Sequence, residues 1–232
     1  MKIYMIFTKK NSRNNMIKKA KLLCLLGLGF LMLNSCTEQN SKTISTEINK
    51  EQIIVENLMT RRSVRAYKDE PVPQDIMNVI LECGVYAPNG MNKQPWEIRV
   101  VDNKDYINGI TDLYLSDMDE DHPRNPKKDP NFRNMFRNAP TVVFIAMEPG
   151  LCSQVDCGLL AGNMVNAAWA YGIGSCIQMA PVQFMKSEKA KDYLDKLSFS
   201  EGYELLMAIG FGYPDEQPQA KPRIKEKIKF ID

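Results

Sequence analysis

Apolar residues recur along residues 51–232 at two spacings, and each change of spacing marks a new element. Ile54 and Leu58, four apart, predict a helix over Glu51 to Met59. Pro71 and Pro73 open a second helix, which runs to about Gly84 with Ile76, Val79, Ile80 and Cys83 on one face. That stripe makes Cys83 a core thiol rather than a nucleophile. A strand is expected over Glu97 to Val101. The nearly continuous apolar run Thr141 to Met147 reads as a buried central strand. Asp156 to Tyr171 is apolar on most faces and carries Ala161, Gly162, Ala167 and Ala168, which suits a deep, closely packed helix. Gly172-Ile173-Gly174-Ser175-Cys176 follows as a helix C-cap and leads into a strand ending at Met179; it lacks any GxGxxG or Walker pattern. Another strand is expected over Tyr203 to Ile209. In the tail, Ile224, Glu226, Ile228 and Phe230 alternate with Lys225, Lys227, Lys229 and Ile231, a period of two that predicts a strand in need of a sheet edge. Tyr106 to Asn138 shows no clear period; Phe132, Met135 and Phe136 either wall a site or pack a helix down. These elements mix helices and strands in an α+β chain.

The N-terminus follows a different pattern. Residues 1–35 hold seven Lys or Arg and no Asp or Glu, and Leu22 to Leu33 is an apolar run of twelve. Such a run is too short to span a bilayer but fits a signal peptide. Leu33-Asn34-Ser35-Cys36 resembles a bacterial lipobox, with Cys36 the residue to be lipidated; Cys24 is a poorer candidate. Met16-Ile17-Lys18-Lys19 would make a conventional start. The expected organisation is a signal peptide over 1–35, lipidated Cys36 with a polar tether over 36–50, and one domain over 51–232. The expected location is the bacterial cell envelope, as a membrane-anchored lipoprotein. The whole chain carries 30 basic and 28 acidic residues; removing the first 35 leaves 23 against 28. An acidic body argues against general nucleic-acid binding.

Two stretches carry candidate chemistry. Arg61-Arg62-Ser63-Val64-Arg65 sets three guanidiniums and a hydroxyl together, with no acidic residue between Thr60 and Lys68. Arginine matches phosphate with a bidentate fork, so an anion site is expected. Ala87-Pro88-Asn89-Gly90-Met91-Asn92-Lys93-Gln94-Pro95-Trp96 cannot continue a helix and offers free backbone groups beside the amides of Asn89, Asn92 and Gln94. Other chemistries are poorly supplied. The single histidine, His122, makes a Ser-His-Asp or Cys-His hydrolase a poor fit. Six cysteines show no zinc spacing, and the acidic residues Asp112, Asp117, Asp119, Glu120 and Asp121 lack calcium-loop spacing. No metal site and no catalytic side chain is assigned. Beyond Cys24 and Cys36, four cysteines remain; free thiols are expected, with two disulfides the alternative.

The two stretches together, in this order, resemble the nitroreductase family of FMN-dependent oxidoreductases, over roughly Ile53 to the C-terminus. Asn89 stands where the family pattern has serine. The resemblance implies a central mixed sheet flanked by helices in a strand-exchanged homodimer, with FMN at the interface. It implies that Arg61, Arg62, Ser63 and Arg65 hold the ribityl phosphate and the flavin pyrimidine edge. It places Pro88, Asn89, Gly90, Met91, Asn92 and Gln94 against the cofactor from the other chain. It also implies backbone donors near the flavin N5 around Gln178, Met179 and Ala180, and Lys221 and Arg223 closing on the phosphate. The 106–138 region would lid the flavin, and the tail strand would add to the partner. The cofactor would then carry the reaction. NAD(P)H or another reductant would donate, and a nitroaromatic, quinone-like or related small aromatic acceptor would accept. A membrane-tethered flavin-binding protein without reductase activity is the alternative, because NAD(P)H is cytoplasmic and an outward-facing lipoprotein is not.

Overall fold

In the computed structural model, residues 49–121 and 125–231 are described. The lipobox, Cys36 and His122 lie outside them. The elements are α1 (Lys50–Thr60), α2 (Gln74–Val85), β1 (Trp96–Val101), α3 (Lys104–Ser116), β2 (Thr141–Met147), α4 (Ser153–Ala170), β3 (Gly174–Gln178), α5 (Ala180–Met185), α6 (Lys191–Lys196) and β4 (Glu204–Gly212).

The four strands form one sheet in the order β1-β2-β4-β3. All three ladders are antiparallel. Among the described residues the expected mixed character reduces to one parallel bridge, from Ser63 in the arginine entry to Ser175 on β3. β2 is apolar almost throughout because both its faces are covered. Val143 and Ile145 join the core made with α2 and α4. Val142 and Phe144 join a second core with Ile107, Ile110, Val182 and Met185 from α3 and α5. Opposite Ile145 and Ala146 the register of β4 slips by one residue, so Leu206 is extra. As a result Leu206 and Met207 both pack on the α4 side, while Leu205 and Ala208 pack on the other.

α4 is the axis of the first core, with Cys157, Leu160, Ala161, Met164 and Ala168 fully buried. It crosses α2 closely: a Cβ on Gly84 would lie 2.5 Å from the Met164 Cγ. Its end is a Schellman motif. Gly172 sits at φ 71, its N–H donates to Trp169 O at 3.0 Å, and Ile173 N–H donates to Ala168 O at 2.9 Å.

Two expectations are not met within the single chain. The fully buried residues of α2 are Met77, Ile80 and Gly84; of the expected stripe Ile80 is among them and Ile76 packs partly buried against the core, but Val79 and Cys83 are only half-buried. The tail forms no strand: Lys225–Lys227 is one 3-10 turn and Ile224, Ile228, Phe230 and Ile231 are exposed. Alternation decides which face a side chain would line, but a strand also needs a ladder partner, and the chain supplies none here. The segment without a clear period contains α3, whose buried face is Ile107, Ile110 and Thr111. Cys83, Cys152, Cys157 and Cys176 are free thiols.

Candidate functional site

The arginine-rich entry is sewn in place from both sides. Asn57 Nδ2 donates to Asn166 O at 3.0 Å and Trp169 Nε1 donates to Thr60 Oγ1 at 3.1 Å, mooring the end of α1 to the C-terminal part of α4. The chain then leaves the helix. Val64 N–H donates to Ser175 O at 3.0 Å, Lys68 N–H to Tyr213 O at 3.0 Å, and Asp215 N–H to Ala66 O at 2.9 Å. Tyr67 is buried and its hydroxyl donates to Val64 O. Burial pushes the Tyr67 phenol well above its usual range, so it stays a neutral donor.

The guanidiniums this frame presents are crowded. Arg61 is half-buried, and its pKa is lowered by burial first, then by Arg62 and Arg223. The residues from two ends of the domain, Arg61 and Arg223, therefore lie within each other's field. Arg62 turns back to Met59 O and Arg61 O, Arg65 to Ser63 O, and Arg223 to Lys221 O. None of these arginines makes an ion pair among the described residues. Glu216 is the carboxylate beside them, and it accepts the backbone N–H of Arg65. Beneath them lies the buried Cys176 thiol. Its pKa is raised by burial, against the opposing pull of Arg65, Arg137 and Arg61. A buried, protonated thiol does not act as a nucleophile.

The 87–96 loop is held differently. Three of its residues are left-handed without being glycine: Met91 (φ 54), Asn92 (φ 53) and Gln94 (φ 49). Such conformations cost on the order of 1–2 kcal/mol each, least for asparagine. The loop's own amides hold it there. Asn89 Oδ1 accepts Gln94 N–H at 3.0 Å, and Asn89 Nδ2 donates to Ala87 O at 3.2 Å. Gln94 Nε2 donates to Asn92 O at 3.4 Å. Asn89, the departure from serine, is thus an internal brace. Gly90 N–H donates to Asp156 Oδ1 at 3.1 Å, tying the loop to the first turn of α4. Pro95 O accepts from Glu148 N–H and the buried Cys157 thiol, whose pKa burial pushes up to about 11. Met91 stands out of this frame, 84% exposed.

Within one chain the two stretches do not meet. The loop is tied to α4 at Asp156 and the arginine entry at Trp169. Thirteen residues separate these ties, roughly 20 Å at about 1.5 Å per residue. Between β3 and α5, Met179 is exposed, as is Ala180 at the start of α5, but the Gln178 side chain is buried and donates to Phe136 O at 2.9 Å. The Gln178 amide is therefore spent inside the fold. Met135 and Phe136 are buried too, and Phe136 packs edge-on to Phe144 at 5.6 Å, so of the two readings for this segment they pack rather than wall a site. Lys221 and Arg223 lie on an exposed, irregular segment. No group of three potential metal-ligating side chains occurs among the described residues.

Sequence reasoning missed two residues. Asp156 was visible only as a first-turn acid of α4. Arg137 follows a buried phenylalanine in an asparagine-rich turn, and nothing local marks it as a neighbour of Tyr67 and Cys176.

The comparisons agree on one family. The model of the nitroreductase family matches residues 58–213. A nitroreductase with bound FMN from Bacteroides fragilis superposes with a TM-score of 0.67 at 27% identity, covering 77% of this chain and 98% of that one. A nitroreductase with bound FMN from Desulfitobacterium hafniense gives 0.68 at 26% identity, with the same coverage. An NAD(P)H-dependent FMN reductase of Bacillus subtilis is 23% identical over 188 residues, 75% of this chain and 71% of its own length. With most of its folded domain matched, the chain belongs to the nitroreductase family.

Proposed function

We propose that the protein is an FMN-dependent oxidoreductase whose sites are each completed by two copies of the chain. The observation that carries this is the separation of two half-sites along α4. Unpaired guanidiniums gather at one end of the helix, and a braced, strained loop sits at the other. A second copy running antiparallel along α4 would bring the loop of one chain to the arginines of the other. The surface to be covered is apolar. α1 buries no residue and exposes Ile53, Ile54, Leu58 and Met59, while α4 presents Val155 and Leu159 outward, with Leu151 exposed in the turn before it. Such an apolar face is ordinarily covered by a partner.

The residues fit the cofactor named for the relatives. Arg61, Arg62, Arg65 and Arg223, with Ser63 and Lys221, suit a dianionic phosphate. The loop from Pro88 to Gln94 offers backbone and amide groups to the edge of a planar ring. When bound, FMN supplies hydride transfer between a reductant and an acceptor. The chain itself binds and orients the cofactor and keeps the low-lying thiols protonated. The donor proposed is NAD(P)H or another reductant, and the acceptor a nitroaromatic, quinone-like or related small aromatic. The test is anaerobic: the purified yellow protein should bleach with NADH or NADPH and regain colour with an acceptor. A colourless protein that takes up no FMN would refute the reading.

A second reading rests on the N-terminal pattern. Basic residues, an apolar run of twelve and Cys36 support a lipoprotein held at the cell envelope, away from cytoplasmic NAD(P)H. Cys36→Ser should then release the protein from membranes. Wild-type protein that is soluble and keeps residues 16–35 would refute the anchor. Flavin binding without bleaching by either nucleotide would favour a flavin-binding role over reductase activity.

A further inference from the structure

The turn before β2 presents an arginine that no part of the family resemblance assigns. Arg137 (φ 60) and Asn138 (φ 64) are consecutive left-handed residues, neither of them glycine. They are held by a dense set of side-chain bonds. Asn138 Oδ1 accepts the N–H groups of Arg133 and Asn134 at 2.7 and 3.1 Å, and its Nδ2 donates to Asn131 O at 2.8 Å. Asn134 accepts Phe136 N–H at 3.0 Å and donates to Ala139 O at 3.2 Å.

The place where this turn docks is defined by backbone contacts. Phe136 O accepts the Gln178 amide at 2.9 Å, and a Cβ on Gly210 would lie 3.3 Å from it. Gly210 faces Cys176 across the β3–β4 ladder, and its carbonyl accepts from Tyr67. Arg133 also reaches across to Tyr67 O. Arg137 is thereby carried to the Tyr67–Cys176 locus, where Arg65 and Arg61 already act. Its own side chain is exposed and makes no hydrogen bond or ion pair among the described residues. A strained, heavily braced turn thus delivers one more unpaired cation to a locus where Arg61 and Arg65 already act and Glu216, bound to the Arg65 N–H, is the carboxylate beside them. Like charges gathered this way repel unless an anion joins them.

We infer that Arg137 is a further ligand of the phosphate group that Arg61, Arg65 and Arg223 bind, and so helps select FMN over riboflavin. The inference rests on the FMN reading above. Charge-assisted bonds to phosphate are strong, and losing one reduces affinity by about ten- to a hundredfold.

The experiment uses the full-length chain stripped of flavin, titrated with FMN and with riboflavin by flavin fluorescence. Two variants are needed. Arg137→Ala should weaken FMN about ten- to a hundredfold and change riboflavin less than about twofold. Arg137→Gly removes the same charge but suits the left-handed backbone, so its flavin-free Tm should rise while FMN binding falls as in the alanine variant. That opposition separates a ligand from a merely structural residue. FMN affinity unchanged in Arg137→Gly, while wild type binds FMN and Arg223→Ala weakens it, would overturn the role of Arg137 and leave the FMN reading intact. Equal loss of FMN and riboflavin would overturn it too. A wild-type chain that binds neither flavin would overturn both.

Discussion

The arginine entry and the 87–96 loop, the two halves of the proposed site, hold their tension in different forms. Around Arg61 the backbone is relaxed and tied to β3 and to the 213–216 segment, and the tension is electrostatic. In the loop the charges are few, and the tension is conformational, in Met91, Asn92 and Gln94. Charge crowding is relieved by an anion arriving. Backbone strain is relieved only by unfolding or by changing the residue. The first region should therefore show its energy in binding, and the second in stability.

The largest effect should come from the charged region. Arg61→Ala or Arg223→Ala should weaken FMN about ten- to a hundredfold, at about 1.5–3 kcal/mol per charge-assisted bond, and leave riboflavin nearly unchanged. The flavin-free Tm should stay level or rise, because each change removes a like charge from the cluster. Equal losses for the two flavins would move the phosphate elsewhere.

Breaking the tie between loop and helix should act in the opposite sense. Asp156→Ala leaves the Gly90 N–H without its acceptor, at a cost of about 1–3 kcal/mol in denaturant unfolding. Both flavins should weaken alike, since the loop loses its place rather than a phosphate contact. A loss confined to FMN would contradict the division between the two regions.

Relieving the strain should be smallest. Met91→Gly keeps the loop geometry at φ 54 and should stabilise the protein by about 1 kcal/mol, with FMN and riboflavin affected equally or not at all. Little burial is lost, because Met91 is largely exposed. No stabilisation would mean that the loop relaxes more readily than its bracing implies.

The same contrast explains what the sequence revealed. Both stretches are contiguous, so their composition could be read directly: three arginines in five residues, and amides between two prolines. β2 and α4 were legible because burial on several sides leaves a long apolar record. Ile80 on α2 was legible, but Met77 and Gly84 were not, because Gly84 holds the helix by close approach to Met164 and glycine carries no hydrophobic signal. α3 was hidden by its polar majority, although Ile107, Ile110 and Thr111 keep helical spacing and Asn103 caps it, accepting Tyr106 N–H. The tail's alternation was real as a pattern, yet a strand depends on a ladder that one chain does not provide. Arg137 and Asp156 were illegible because their neighbours are distant in sequence, and only the fold places Arg137 near Cys176 or Asp156 under Gly90.

The central claim is that each site takes its arginines from one chain and its loop from another. It is tested by mixing two defective chains, one carrying Arg61→Ala with Arg223→Ala and the other Met91→Pro. Proline cannot adopt φ 54, so the second chain keeps its arginines but loses the loop. Each homodimer should bind FMN poorly. In the mixed dimer one site receives both lesions and the other neither. The account therefore predicts one tight FMN per mixed dimer, with an affinity equal to wild type. If co-expression restores no tight binding while the mixed dimer is shown to form, the site is complete within a single chain and the account is wrong.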